Sequence, residues 1–220
     1  SKGIFLMAQL ADGLSPKGVE AWLHRRLFYS GWHAGELPKA NLPFGKNKLS
    51  LACNWDAMAK DKYWWWRKRL SHTAKYCDAM RIDNVAQFFR TWLVPSTTTN
   101  GLLGQFTPAA PFTPKDIERY GLKFRKTFFT SPFINDQVLS KLFGMHTQYV
   151  KEHFLIAKPY GMYFLKGNCN TQDKIRDIFK GKADENSAWI CDGMCRLTEN
   201  VLFIEDAHRP NAYHPRVAAY

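Results

Sequence analysis

The order of elements read along this chain constrains its fold most. A strand over residues 3–8 is followed by helix, strand and helix, then by a long stretch dominated by helix caps, then by one more strand. That is an α/β pattern with too few strands to close a sheet. Residues 11–18 are rich in turn formers, and Gly31 to Gly45, with Pro38 and Pro43, reads as a second long loop. Asn54 is placed to cap a helix running to about Cys77. Ala79-Met80-Arg81-Ile82-Asp83 reads as a strand with polar residues at its C-terminal end. A helix with Val85, Phe88, Phe89 and Trp92 on one face is predicted next, stopped by Pro95.

The stretch Ser96 to Pro114 reads as loop, and Thr113-Pro114-Lys115-Asp116 as a helix start with a cap, a proline at the first position and an early acid. Gly121 ends that helix. Further helices are predicted over about Asp136–Phe143 and Met145–Phe154, and another opening at Asn170-Thr171-Gln172-Asp173. Val201–Ile204 reads as a strand. No internal repeat or low-complexity tract interrupts the pattern.

With 45% apolar and 23% charged residues the chain is expected to fold rather than stay disordered. No run of about 18 uninterrupted apolar residues occurs, so no membrane-spanning helix is expected. Ser1–Ala8 has no initiator Met and too short an apolar run for a signal peptide, so the chain is expected to begin inside a longer protein. The cysteines at 53, 77, 169, 191 and 195 form neither a zinc pattern nor a disulfide framework, which fits a reducing compartment.

A net charge of +12 admits a polyanionic partner such as nucleic acid. The densest basic and aromatic run is Trp64-Trp65-Trp66-Arg67-Lys68-Arg69. The same run also reads as an amphipathic helix, with Trp66, Leu70, Thr73 and Cys77 turned inward and Arg67, Lys68 and Lys75 outward. Aromatic residues at 15% suit sugar platforms, although large cores use them too.

The constellation that looks chemical is Arg81-Ile82-Asp83-Asn84. Arg81 and Asp83, two apart on a strand, lie on one face. A cation beside a carboxylate favours its charged form, and retaining glycoside chemistry needs an ionised carboxylate as nucleophile. In a (β/α)8 barrel the C-terminal ends of strands carry the active site. By itself Arg-x-Asp also suits a structural ion pair.

The run Asn54-Trp55-Asp56-Ala57-Met58, Lys60–Arg67, Arg81–Asn84 and Phe88-Phe89-Arg90-x-Trp92-x-x-Pro95 resembles the 4-α-glucanotransferases, the amylomaltases or disproportionating enzymes. Gly101–Phe106, Cys169-Asn170-Thr171, Asn200–Ile204 and Tyr213–Arg216 resemble the plant-type cytosolic subgroup in the same order. The resemblance implies a portion of a (β/α)8 barrel with a mostly helical insertion. It divides the chain into a barrel segment over 1–96, the insertion over 97–198, and a strand and tail over 199–220. It implies Asp83 as nucleophile, Arg81 as its carboxylate partner, and Asn84 and Trp55 as substrate-binding residues. The family's acid/base glutamate and its third catalytic carboxylate are expected beyond Tyr220.

A (β/α)8 barrel typically needs about 250 residues, so this chain is expected to hold two or three barrel strands and to be inactive alone. Glu205-Asp206 follows a strand but falls in the insertion region, outside the expected catalytic order. No metal or organic cofactor is expected, because paired carboxylates need none.

Departures accompany the matches. Ala8-Gln9-Leu10-Ala11 stands where the family has a Gly-Asp-Leu-Pro-type turn. Gly35-Glu36-Leu37-Pro38-Lys39 carries a lysine in an acidic place, Asn47–Ala52 replaces a Gln-x-Trp-Gly-x-Pro segment, and Asn84 replaces a histidine. An amide can still bond a sugar hydroxyl but cannot change charge. Three readings therefore stand: part of a working α-glucan transferase, a catalytically silent relative serving as a structural subunit of a larger, even nucleoprotein, assembly, or a glucan-binding module. The partners implied are α-glucan, the rest of the polypeptide or neighbouring subunits, and nucleic acid, with no membrane. The resemblance places the protein in the cytoplasm and leaves an organelle open.

Overall fold

The computed structural model describes residues 3–10 and 13–216, which form an α/β fold. Ala11 and Asp12, the start of the expected first loop, lie outside the described residues, as do residues 217–220. Strand β1 is Met7–Leu10, later than the expected 3–8, and a one-turn helix α1 (Val19–Leu23) follows. Then come two long strands, β2 (Phe28–Glu36) and β3 (Lys46–Cys53). Strand β2 corrects the first part of the loop read over Gly31–Gly45, while residues 37–45, with Pro38 and Pro43, form the connection to β3. Gly35 is there for close approach: a Cβ on it would overlap the Val94 side chain. Gly45, at φ +61°, turns the chain into β3 against Gly101.

Asn54 caps α2 (Trp55–Lys60), its side-chain oxygen accepting from Ala57 N at 3.0 Å. The expected single helix is two, because Lys62 and Tyr63 adopt left-handed φ of 56° and 57° before α3 (Trp64–Thr73) starts. Trp65 and Trp66 pack inward with Met58, Leu27 and Phe28, while Arg67, Lys68 and Lys75 face solvent. Strand β4 is Ala79–Ile82. The helix expected through Trp92 is instead one 3-10 turn (Val85–Phe88) followed by β5 (Thr91–Pro95), whose Trp92, Leu93 and Val94 are buried. β6 (Gln105–Thr107) completes an antiparallel sheet of order β3-β2-β5-β6. That sheet crosses residue 96, the expected edge of the first segment.

The remainder is mostly helical. Thr113 and Asp116 form a reciprocal capping box on α4 (Pro114–Arg119), and α5 (Lys126–Phe129) follows. Helices α6 (Asp136–Phe143) and α7 (Thr147–Phe154) lead into a hairpin of β7 (Leu155–Lys158) and β8 (Met162–Leu165). Helix α8 (Gln172–Phe179) packs against α9 (Glu185–Glu199), and β9 (Phe203–Glu205) pairs with β10 (Tyr213–Pro215). Leu139, Phe143, Val150, Ile175, Met194 and Leu197 lie at 0% exposure in one core shared by α6 to α9. Gln172 and Glu199 tie this core to the 96–104 loop: Gln172 accepts from Thr99 N at 2.8 Å, and Glu199 accepts from Asn100 Nδ2 at 2.5 Å and Gln172 Nε2 at 2.6 Å.

Candidate functional site

β1 and β4 run parallel and in register, Met7 opposite Ala79 and Gln9 opposite Arg81. Asp83 is the first residue past β4. Its N–H reaches Leu10 O at 3.5 Å, so the two strand ends are held level. Arg81 Nε donates to Asp83 Oδ1 at 3.0 Å, and the Gln9 side-chain amide donates to Oδ2. The Asp83 side chain is 25% exposed and Arg81 64%, so the pair adds at most about 1 kcal/mol to stability. Its effect is positional: two donors fix the plane of the carboxylate at the strand's C-terminal end.

Gln9 was not legible as a partner of Asp83. The signal is the in-register pairing of β1 with β4, which composition does not reveal. Asn84 follows at φ 48°, ψ 54°, a left-handed conformation that asparagine tolerates, and turns the chain into Val85–Phe88.

That turn opens onto a cleft of about 490 Å³ lined by Asn84, Gln87 and Arg90 on one side and by Glu36, Lys39 and Lys48 on the other. Asn84 reaches this cleft; Asp83 is not among its lining residues. Glu36 pairs with Lys39 at 3.7 Å, and the Arg90 guanidinium sits 3.9 Å over the Phe106 ring. The wall is therefore more cationic than acidic, with hydrogen-bond donors suited to hydroxyl-rich ligands.

Trp55 stands behind this wall. Its indole N–H donates to Gln87 O at 3.3 Å and its ring packs on Trp66 and Phe88, with centroids at 6.1 and 5.2 Å. The structure thus brings Arg81, Asp83 and Asn84 together in one turn and connects Trp55 to them through the backbone of Gln87.

The other carboxylates weighed from sequence are engaged elsewhere. Lys126 Nζ lies 2.8 Å from Glu205, whose carboxyl that bond holds below its usual range. Asp206 lies 2.7 Å from His214 Nε2. Burial alone would raise the Asp206 carboxyl, but bonds from His214 and from the N–H groups of His208 and Arg209 hold it below its usual range. Lys68 lies over Trp64, and Arg69 over Trp65 and Trp66, so those ring faces are occupied within the chain. All five cysteines are free thiols, and burial pushes Cys53 up to about 11 and Cys195 up to about 12. Among the described residues no three His, Cys, Asp or Glu side chains are grouped to hold a metal ion. No described helix is long and apolar enough to cross a membrane.

A sequence profile of 4-alpha-glucanotransferases matches residues 1–194. The chain belongs to the 4-alpha-glucanotransferase family. A 4-alpha-glucanotransferase of Oryza sativa subsp. japonica, DPE2, is 31% identical over 222 residues, covering 98% of this chain and 23% of that protein. The 4-alpha-glucanotransferase of Chlamydia pneumoniae is 28% identical over 56% of this chain and 22% of its own length. A chloroplastic/amyloplastic 4-alpha-glucanotransferase of Solanum tuberosum is 29% identical over 55% of this chain and 22% of its own length. Among solved structures, amylomaltase from Streptococcus agalactiae in complex with acarbose aligns with a TM-score of 0.46 at 24% identity, over 49% of this chain and 23% of its own. The chain spans less than a quarter of the length of these 4-alpha-glucanotransferases.

Proposed function

We propose that this chain is the nucleophile-bearing portion of a retaining 4-α-glucanotransferase. The carrying observation is Asp83 at the end of a parallel strand pair, held by Arg81 and Gln9, in a chain of this family. In that reading Asp83 attacks the anomeric carbon of an α-1,4-glucan and expels the leaving sugar. The resulting glycosyl ester passes to the hydroxyl of an acceptor sugar. Arg81 and Gln9 orient the carboxylate, and Asn84, with Trp55 supporting the wall, faces the sugar. Protonation of the leaving oxygen requires a second carboxyl about 5 Å from the first. Glu205 and Asp206 are bound to Lys126 and His214, and Glu36 to Lys39. In this reading, as the resemblance to the family implies, the acid/base group belongs to a part of the full protein outside this chain, and the chain alone does not turn over glucan.

In the same reading β1 and β4 are neighbouring strands of a (β/α)8 barrel, residues 97–198 an insertion, and residues 199–220 its exit. Parallel sheets are ordinarily covered on both faces. Here all four β4 residues are exposed, and so are Phe5 at 84% and Met7 at 64%. The remaining barrel covers this surface. Cytoplasmic glucan metabolism is the setting this reading gives the protein.

The test is Asp83→Asn in the full-length protein. Maltotriose disproportionation is expected to fall about 10³-fold or more with the circular dichroism unchanged. A second reading, a catalytically silent relative acting as a structural subunit, draws on Lys39 and Asn84 standing where the family has an acid and a histidine. It predicts no turnover by the full-length protein before any substitution, so the unmodified enzyme separates the two.

A further inference from the structure

The insertion carries a groove distant in sequence from Asp83. It measures about 610 Å³ and lies between α5, the 131–133 segment and the β7–β8 hairpin. Four rings line it: Phe128, Phe133, Tyr160 and Phe164. Tyr160 is fully exposed and the three phenylalanines are partly exposed; Lys158 Nζ lies 5.3 Å over the Phe164 ring, and Phe128 meets Phe133 edge to face, so Tyr160, Phe128 and Phe133 offer the accessible ring surface. Tyr160 also adopts φ 64°, ψ 31° at the hairpin tip, a conformation that a bulky side chain rarely takes and that glycine takes freely. At that tip the Tyr160 ring stands wholly in solvent beside the other rings of the groove.

The walls are fixed before any ligand arrives. Phe133 N donates to Asn200 O at 2.8 Å, Asn200 Nδ2 donates back to Phe133 O at 2.7 Å, and Tyr163 N donates to Ile134 O at 2.9 Å. Little ordering is then needed on binding. The rim is polar, with Thr127 and Ser131 hydroxyls and the cations Arg125 and Lys158.

We propose that this groove is a second α-glucan-binding site, which holds a long chain while its end reacts elsewhere. The inference rests on the function proposed above for its choice of ligand. A maltooligosaccharide has apolar C–H faces that lie on aromatic rings and a hydroxyl edge that hydrogen-bonds to hydroxyl and cationic groups. The groove offers both within one preformed pocket of ordinary ligand size. A second copy of the chain fits less well, because each copy carries a net charge of +12 and the rim itself is cationic.

The experiment uses the full-length protein with Tyr160→Gly, Phe128→Ala and Tyr160→Trp. Tyr160→Gly suits the left-handed backbone, so its effect is not one of misfolding. Retention on soluble glycogen in affinity gels is expected to weaken about tenfold for Tyr160→Gly and for Phe128→Ala, and to return with Tyr160→Trp. Turnover of maltotriose, too short to bridge both sites, is expected to stay within twofold, and sedimentation to stay unchanged. Unaltered glycogen retention in Tyr160→Gly overturns the proposal. So does a loss of heparin retention with glycogen retention intact, or dissociation of a dimer by either variant. Asp83→Asn separates this from the catalytic reading: if that variant keeps full turnover the nucleophile assignment fails, while the groove stands or falls on glycogen retention alone.

Discussion

The β1–β4 pair and the helical core of α6 to α9 are opposite kinds of structure within one chain. The helices close around Leu139, Phe143, Val150, Ile175, Met194 and Leu197, all at 0% exposure. The strand pair that carries Asp83 leaves Met80 and Ile82 at 38% and 43% exposure. Burial of apolar area is the main stabilising term in folding, so the helical core holds itself together while the strand pair contributes little of its own. The difference teaches that, on the reading proposed above, whatever packs on the strand pair would position Asp83 as much as its local partners do.

The largest expected effect separates the regions by function. On the reading proposed above, residues 1–220 expressed alone should release no glucose from maltotriose, whereas the full-length protein should. Turnover by the isolated chain as a monomer would break the comparison, because the acid/base group would then lie within it.

Stability gives the next contrast. Phe143→Ala empties the centre of the helical core and should cost about 3–5 kcal/mol by chemical denaturation. Met80→Ala on β4 should cost less than about 1 kcal/mol in the isolated chain and more in the full-length protein. Equal costs for Met80→Ala in both would mean that nothing further packs on the strand pair. Hydrogen exchange reads the same difference: amides of 7–10 and 79–82 should be protected only in the full-length protein, and those of 139–143 and 190–197 in both.

How far the sequence disclosed these regions follows from the kind of signal each carries. Local signals were legible. Asn54 and Thr113 with Asp116 cap helices as their chemistry directs. The two-residue spacing of Arg81 and Asp83 sets them in contact at the end of β4. Signals settled by distant partners were not. Gly35 and Gly45 look like loop residues until Val94 is seen packed against the first and Gly101 against the second. The helix α9 is not among those read from the sequence; in space its Gly193 makes room for the Phe143 ring. Trp92 fits a helical spacing with Val85 and Phe88, yet β2 and β6 recruit it into a strand. In the candidate site the carboxylate and its arginine could be read, whereas Gln9 and the cleft across from Asn84 depend on β1 and on the β2–β3 sheet.

Smaller effects probe the junction between the regions. Burial pushes the Glu199 carboxyl above its ordinary range, against the lowering effect of bonds from Gln172 and Asn100. The folded chain therefore keeps a proton that the unfolded chain releases above the ordinary glutamate value. Stability falls with rising pH across that window and levels off once the raised folded value is passed. Glu199→Gln should remove the slope in unfolding free energies compared at pH 5 and pH 8. An unchanged slope would show that Glu199 titrates as an ordinary carboxyl. The smallest effect is Thr113→Ala, which removes the capping box of α4 and should cost about 1 kcal/mol without altering turnover.

The central claim, that Asp83 forms the covalent bond to glucan, is tested most directly by trapping that intermediate. Full-length protein is incubated with a slow-turnover maltooligosaccharide, quenched in acid and digested, and the peptides are sequenced by mass spectrometry. The account predicts a glycosyl mass on the peptide containing Arg81-Ile82-Asp83-Asn84, located on Asp83 and absent from Asp83→Asn. A glycosyl group on any other carboxylate, in a protein that transfers glucan at full rate, would contradict it.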